Sequence, residues 1–381
     1  MDKLRVGIIG VGWPGQRHIE GYQKHPGAEI VALSDVNTEA AEQVKAEYGV
    51  NGARIYGDYQ EMLASDVDAV SVCTPNFLHA PMAIDALEAG KHVLLEKPLA
   101  HTLEDGERLA AKVAESPDLA FMIAFNNRYR PDSLVLKERI DDGTLGEIYY
   151  AKTGWLRSAS GFFLRGWFTQ KDRSGGGPLI DLGVHMLDLS LWFMGNPRPA
   201  SVSGSVYHKF RDYMQESVGG TVDVEDLATA LVKLDNGATI VLDVSWLSHI
   251  EQGDLVYSQL FGTEGGAKIE RGGGQEDLRI YTVGGSGASR TTMVGSPKFN
   301  SWGQQQHGFM LYESFRGEIA DFVDSIKDGR QPGATITHGL DILRVLDAIY
   351  RSAETGREID LHEAPPTDTE HTPGHALATH R

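Results

Sequence analysis

Between Leu4 and about residue 125, short apolar runs alternate with polar stretches of helical period. The runs Leu4–Gly10, Ile30–Ser34, Ala69–Cys73, His92–Leu95 and Leu119–Phe125 each have the length of a buried strand. Strands alternating with helices predict an α/β domain with a doubly wound parallel sheet. Beyond residue 145 the apolar runs lengthen and alternate with polar positions, at Ile148–Leu156, Ala228–Leu234, Thr239–Trp246 and Leu255–Phe261. That pattern predicts a C-terminal α+β domain with a large, mostly antiparallel open sheet, in which Asn236-Gly237 marks a hairpin turn. Tyr312–Lys327 and His338–Ala353 carry helical period, whereas Arg271–Gly308, rich in Gly, Ser and Gln, reads as loops over a pocket. From Glu363 apolar residues almost vanish, which predicts a disordered tail. The expected units are therefore 1–126, 127–362 and 363–381.

A length of 381 residues agrees with two folded domains. The formal charge of −18, without any cluster of Lys or Arg, speaks against nucleic acid or an acidic membrane as partner. The one cysteine, Cys73, excludes an internal disulfide framework and is read as a small buried residue. No apolar stretch reaches the roughly 18 residues of a membrane span. The first strand starts by Leu4, so no signal peptide is expected and the cytoplasm is the expected location. His371, His375 and His380 in the tail have no fixed geometry, and no metal site is expected.

Chemistry enters first at Gly10-Val11-Gly12-Trp13-Pro14-Gly15, where an apolar strand runs into glycines spaced G-x-G-x-x-G ahead of a helical pattern. Gly10 permits a tight turn, Gly12 lets a pyrophosphate approach bare backbone, and Gly15 lets helix and strand touch. Twenty residues past Gly15 a second apolar run ends in Asp35, placed to accept from the ribose hydroxyls of a dinucleotide. A carboxylate there repels a 2′-phosphate, which favours NAD over NADP; the competing reading makes Asp35 a cap for a helix at Thr38–Tyr48.

Ligands of doubly wound sheets bind beyond the carboxyl ends of the strands. Those ends here carry Thr74-Pro75-Asn76-Phe77-Leu78-His79 and Glu96-Lys97-Pro98. A positioned Lys97 ammonium would polarise a substrate oxygen, unless Glu96-Lys97 is merely a surface ion pair. Further on, Gly175-Gly176-Gly177 precede a helix in which Asp181 and His185, four residues apart, share a face. A neutral imidazole beside a carboxylate can take a hydroxyl proton as hydride leaves the same carbon, while an Asp–His pair that only stabilises a helix is the plainer alternative. Asp188 lies too far along the chain from Asp181 to make these residues a metal site.

Together these motifs resemble the glucose–fructose oxidoreductase/inositol dehydrogenase/rhizopine-catabolism (Gfo/Idh/MocA) family over about residues 3–360. The resemblance is carried by Gly10-x-Gly12-x-x-Gly15 with His18, Asp35, Thr74-Pro75-Asn76-x-x-His79, Glu96-Lys97-Pro98 and Asp181-x-x-x-His185. It implies an N-terminal Rossmann domain and a C-terminal α+β domain whose open sheet forms oligomer contacts, hence a homodimer or homotetramer. By it, Lys97 contacts substrate and nicotinamide, His185 exchanges the proton, and Asp181 orients substrate or His185. Thr74, Pro75, Asn76, His79 and Glu96 line the cofactor side with Gly10, Gly12, Trp13, Pro14, Gly15 and Asp35. Candidate substrate groups are Asn126, Asn127, Arg128 and Tyr129 after the last strand of the first sheet, and Trp155, Arg157, Arg165 and Trp167 in the second domain. Aromatic faces and guanidinium forks suit a hydroxylated ring, although each residue could equally pack or face solvent. The expected function is NAD-dependent oxidation of a ring hydroxyl of a sugar, sugar derivative or cyclic polyol such as an inositol. The alternatives are a redox-neutral NAD-dependent glycosidase and a cofactor-loaded regulatory protein.

Overall fold

The computed structural model describes residues 3–159, 166–251, 253–272, 275–283, 289–294 and 303–362. Arg165 and the tail histidines lie outside the described residues.

Six short strands form the first sheet: β1 (Leu4–Ile9), β2 (Ala28–Ser34), β3 (Arg54–Tyr56), β4 (Ala69–Val72), β5 (His92–Glu96) and β6 (Phe121–Ala124). They run parallel in the order β3-β2-β1-β4-β5-β6. Helices cover both faces, so β4 and β6 are buried at every residue, which explains why these strands read as unbroken apolar runs. The chain reverses direction across the sheet between β1 and β4, and this switch point opens the crevice where the glycine turn and Thr74 meet. Strand β3 was not expected; only Tyr56 of its three residues is buried, too little to leave a pattern in the sequence.

The second sheet contains β7 (Ile148–Ser158), β8 (Pro199–Tyr207), β9 (Leu227–Leu234), β10 (Thr239–Ser248), β11 (Asp254–Gly262), β12 (Gly265–Gly272), β13 (Gln275–Val283), β14 (Ser289–Val294) and the two-residue β15 (Ile359–Asp360). Their order is β14-β13-β12-β11-β7-β10-β9-β8-β15, antiparallel except for the β7–β10 pair. Asn236-Gly237 does form the β9–β10 turn: Leu234 N–H donates to Ala238 O and Gly237 takes φ +85°, a conformation that favours glycine. The segment Arg271–Gly308 differs from the expectation of loops, since it contains β13, β14 and the start of the helix Gly303–Asp328. Between its glycines only Leu278 and Ile280 supply deeply buried apolar positions in β13, so the strand signal is faint in sequence.

One face of this sheet buries Val202, Val232, Ile240, Leu242 and Leu260, with β8 packed on the helix Ile336–Thr355 and β7 and β10 on the helix Val184–Phe193. The two C-terminal helices also return to the first domain, Gly303–Asp328 onto the helix Trp13–Lys24 and Ile336–Thr355 onto β6. A Cβ on Gly21 would lie 2.7 Å from Ile319, and one on Gly339 would lie 1.9 Å from Ile123, so bare backbone lets each helix seat. The two sheets therefore share one continuous core, and the crevice of the first opens toward the second. Among the described residues no helix is long and apolar enough to cross a membrane.

Candidate active site

A cavity of about 1430 Å³ runs from the glycine turn and Asp35 to the helix bearing His185. At its first end Gly10 takes φ +88° and Gly12 leads into the helix Trp13–Lys24, whose first positions are Trp13 and Pro14. A Cβ on Gly15 would lie 2.1 Å from Gly10 O, so helix and strand touch there as glycine alone allows. Gly12 is different: its Cβ would meet nothing nearer than Pro14 Cδ at 3.9 Å. No protein atom requires glycine at this position, whereas a pyrophosphate at the helix N-terminus would. Asp35 accepts from the backbone N–H of Val11 at 3.1 Å and of Asn37 at 2.9 Å, tying the glycine turn to the end of β2. The helix Thr38–Glu47 is capped by Asn37, not by Asp35.

The ends of β4 and β5 form the middle of the cavity. Thr74 Oγ1 is buried without a protein partner, a group that awaits a ligand. Asn76 donates to Ser174 O at 2.8 Å and so ties the first domain to the glycine-rich loop of the second. His79 bridges Pro98 O and Thr74 O at 2.7 and 2.8 Å; burial pulls its ring below the ordinary histidine value although the two carbonyls favour the charged form. Glu96 accepts from Lys97 N–H at 3.1 Å and faces His18 Nε2 at 3.2 Å. Burial pushes its carboxyl up, but His18 and Lys97 more than offset this and hold it below the usual range.

Opposite lies a helix that opens with a π-helical turn at Leu179–Gly183 and continues as the α-helix Val184–Phe193. Such turns occur often at functional sites. Lys97 Nζ donates to Asp181 O at 3.0 Å and to Asp181 Oδ1 at 3.1 Å. Asp181 Oδ2 accepts from Trp246 Nε1 at 3.0 Å and from Arg157 at 3.4 Å. Burial would raise this carboxyl, yet Lys97, Arg157 and Trp246 hold it well below the usual range. His185 lines the same cavity beside Trp155, with ring centroids 5.8 Å apart. Burial, reinforced by the Lys97 charge, pushes its ring well below the ordinary value, so it is neutral at neutral pH. No hydrogen bond joins Asp181 to His185, whose Nδ1 is buried without a protein partner. Asp181 thus orients Lys97 rather than the histidine.

Two family descriptions match this chain. Residues 4–125 match the Gfo/Idh/MocA oxidoreductase family with its NAD-binding Rossmann fold, and residues 134–268 match the Gfo/Idh/MocA C-terminal domain. The protein belongs to the Gfo/Idh/MocA family. It is 31% identical to the D-glucoside 3-dehydrogenase of Escherichia coli K12 over 94% of this chain and 97% of that protein. It is 27% identical to the levoglucosan dehydrogenase of Pseudarthrobacter phenanthrenivorans over 95% of this chain and 99% of that one. An oxidoreductase domain protein from Kribbella flavida superposes with a TM-score of 0.83 at 25% identity, covering 95% of this chain and 100% of that structure.

In this Gfo/Idh/MocA protein the residues fit a dinucleotide: an open glycine turn, Asp35 at the β2 edge and an unpartnered Thr74 hydroxyl line one crevice. The cavity also brings together Pro75, Asn126, Asn127, Trp155, Arg157 and Trp167. Asn126 Oδ1 is buried without a protein partner. Arg128 and Tyr129 do not reach the cavity, which corrects their reading as substrate groups. Arg128 grips Asp188 at 2.6–3.0 Å and donates to Gly333 O at 2.7 Å, while Tyr129 donates to Asp321 at 2.7 Å. The four residues Asn126–Tyr129 form a 3₁₀ turn, and its three-residue period sends successive side chains to different sides. Trp246 and Asp254 were missed. Trp246 ends an apolar run and so read as core, and Asp254, which accepts from Trp155 Nε1 at 2.9 Å, starts a strand with no motif around it.

Proposed function

We propose that this protein is an NAD-dependent dehydrogenase that oxidises a ring hydroxyl of a neutral sugar, sugar derivative or cyclic polyol such as an inositol. The observation that carries this reading is the meeting of Lys97, Asp181 and a neutral His185 in the cavity that also holds the glycine turn. When bound, the nicotinamide supplies the hydride acceptor. The protein supplies the rest. Neutral His185 takes the hydroxyl proton, in the protonation state a base needs. Lys97 spends two N–H donors on Asp181 and keeps a third for the substrate oxygen as negative charge develops there. Trp155 and Trp167 offer flat walls to the C–H faces of a ring.

Charge supports a neutral ring. The cavity cations Lys97, Arg157, Arg130 and Arg271 each already face a carboxylate, of Asp181, Asp254 or Asp132. Asp35 supports NAD over NADP, because a 2′-phosphate would meet its carboxylate. The outer face of the second sheet, with Leu231 exposed, supports a homodimer or homotetramer, which light scattering reads directly.

The test is absorbance of NADH while inositols, pyranoses, anhydrosugars, simple glycosides and sugar phosphates are offered with NAD or NADP. A rise with NAD for a few related uncharged rings is expected, and none for the phosphates. Protein that binds NADH but reduces NAD with none of these rings overturns the reading.

A further inference from the structure

Between the glycines and Asp181 lies a buried acid that the reaction itself does not use. Glu225 is 1% exposed and sits just ahead of β9. Its two carboxylate oxygens accept from Gly177 N–H at 3.0 and 2.9 Å, and Oε1 accepts also from Leu179 N–H at 3.0 Å and from the Tyr350 hydroxyl at 3.0 Å. The first N–H groups of a helix have no partner within it, and a carboxylate there both satisfies them and matches the positive end of the helix dipole. The fit is close. A Cβ on Gly177 would lie 2.2 Å from Glu225 O, and one on Gly176 would lie 1.8 Å from the Tyr350 hydroxyl. Two of the three glycines therefore make room for this acid and its tyrosine.

We propose that Glu225 is a positioning residue: it fixes the turn through which Asp181, and hence Lys97, is held in register. The linkage is short. Gly177 gives its N–H to Glu225, and its carbonyl accepts from the N–H of Ile180 at 3.1 Å and of Asp181 at 3.0 Å. Asp181 in turn holds Lys97 with both its carbonyl and its carboxylate. One residue, Gly177, thus connects a buried carboxylate, anchored by Tyr350 on the helix Ile336–Thr355, to the Lys97 ammonium just past β5. Loss of the acid leaves buried N–H groups unpaired and releases Asp181 from one side.

The consequence for turnover rests on the dehydrogenase reading; the geometric claim does not, and the experiment separates them. Full-length protein saturated with NADH is compared as wild type, Glu225→Gln, Glu225→Asp and Tyr350→Phe. In Glu225→Gln, amides of residues 177–187 are expected to exchange hydrogen about tenfold faster, with first-sheet peptides unchanged. Lys97 is expected to be acylated by acetic anhydride about fivefold faster, since its partner no longer holds it still. With a sugar turned over by the wild type, kcat falls about 100-fold while KM for NAD stays within twofold. Glu225→Asp, which keeps both acceptor oxygens, recovers part of each effect, and Tyr350→Phe, which keeps the carboxylate, shows the smallest. Unchanged exchange and labelling overturn the proposal, as does loss spread evenly over the molecule together with NADH binding. If Glu225→Gln does not fold, Glu225→Asp decides: the same local pattern supports the proposal and a uniform one overturns it. A wild type inactive on every ring sinks the dehydrogenase reading alone, and exchange and labelling then decide this one.

Discussion

Lys97 Nζ sits 3.0 Å from the backbone carbonyl of Asp181 and 3.1 Å from its carboxylate, so one aspartate fixes the ammonium twice. The two residues come from different domains, one directly following β5 and the other in the π-helical turn Leu179–Gly183. Domain packing therefore assembles the Lys97–Asp181 pair on which the proposed reaction rests.

Removing either partner should cost turnover rather than cofactor binding. Lys97→Ala is expected to lower kcat by about 10²–10³-fold, the loss seen when one donor to a developing oxyanion is removed. Asp181→Asn keeps the carbonyl contact but leaves Lys97 and Arg157 without their shared charge, and should fall in the same range. NADH titration by fluorescence should give affinities near wild type for both; full activity in either removes it from the mechanism.

A neutral His185 acting as the proposed base should set the acid side of the pH profile. Burial and the Lys97 charge lower its folded value, so the ring stays unprotonated to below the pH of about 6.5 at which free histidine titrates. The acid limb of kcat/KM should lie below that value. Stability carries the matching sign: the unfolded chain takes up a proton that folded His185 refuses, so this residue lowers stability as pH falls below about 6.5. In His185→Gln the acid-side loss of melting temperature should shrink and turnover should be abolished.

Asp35 should govern the choice of dinucleotide. Asp35→Ser removes the carboxylate that would face a 2′-phosphate and also loosens its hold on Val11 and Asn37. Affinity for NADH should fall, and the ratio of NADPH to NADH affinity should rise by about tenfold, the worth of one screened charge contact of ~1.4 kcal/mol. An unchanged ratio would assign discrimination elsewhere.

Arg128 and Asp188 make a buried pair outside the cavity, with Asp188 1% exposed. Burial raises the Asp188 carboxyl even beside the guanidinium. Arg128→Ala should destabilise the protein by about 3–5 kcal/mol because it strands this acid, whereas the double change Arg128→Met with Asp188→Leu should recover most of the loss. Denaturant midpoints check this, and NADH affinity of the folded variants should remain that of the wild type.

Glu318 provides a pH test of opposite sign. It is fully buried, neither carboxylate oxygen has a hydrogen-bond partner, and burial together with the nearby Glu96 charge pushes its carboxyl well above the usual value. The folded protein keeps a proton that the unfolded chain releases above about pH 4.3, so Glu318 lowers stability as pH rises. Glu318→Gln should therefore gain melting temperature over wild type, and more at pH 9 than at pH 6.

Much of the site was legible because local backbone rules produce it. The glycines at 10, 12 and 15 answer to a turn and a close contact within one strand–helix unit, and Asp35 ends the next strand of the same sheet. Strand ends in a parallel sheet point to one edge, so Thr74 and Lys97 could be placed there before any contact was known. Where local patterning was weak the reading failed: β3 buries a single residue deeply, and β13 hides its two inward apolar positions among glycines.

The sequence by itself determined the strongly patterned elements, the glycine turn, the strand ends and the residue types able to move a proton, since each depends on neighbours a few positions away. Only the tertiary structure decided which of these side chains meet. Arg128 and Arg157 are chemically identical, yet one is sealed against Asp188 and the other reaches Asp181 in the cavity. Asp181 could have held His185, its helix neighbour, but is held instead by Lys97, Arg157 and Trp246 from three other elements. The reason is physical: a buried charge settles on whichever partner packing brings within about 3 Å, and that partner is set by how the two sheets dock, which no local stretch of sequence encodes.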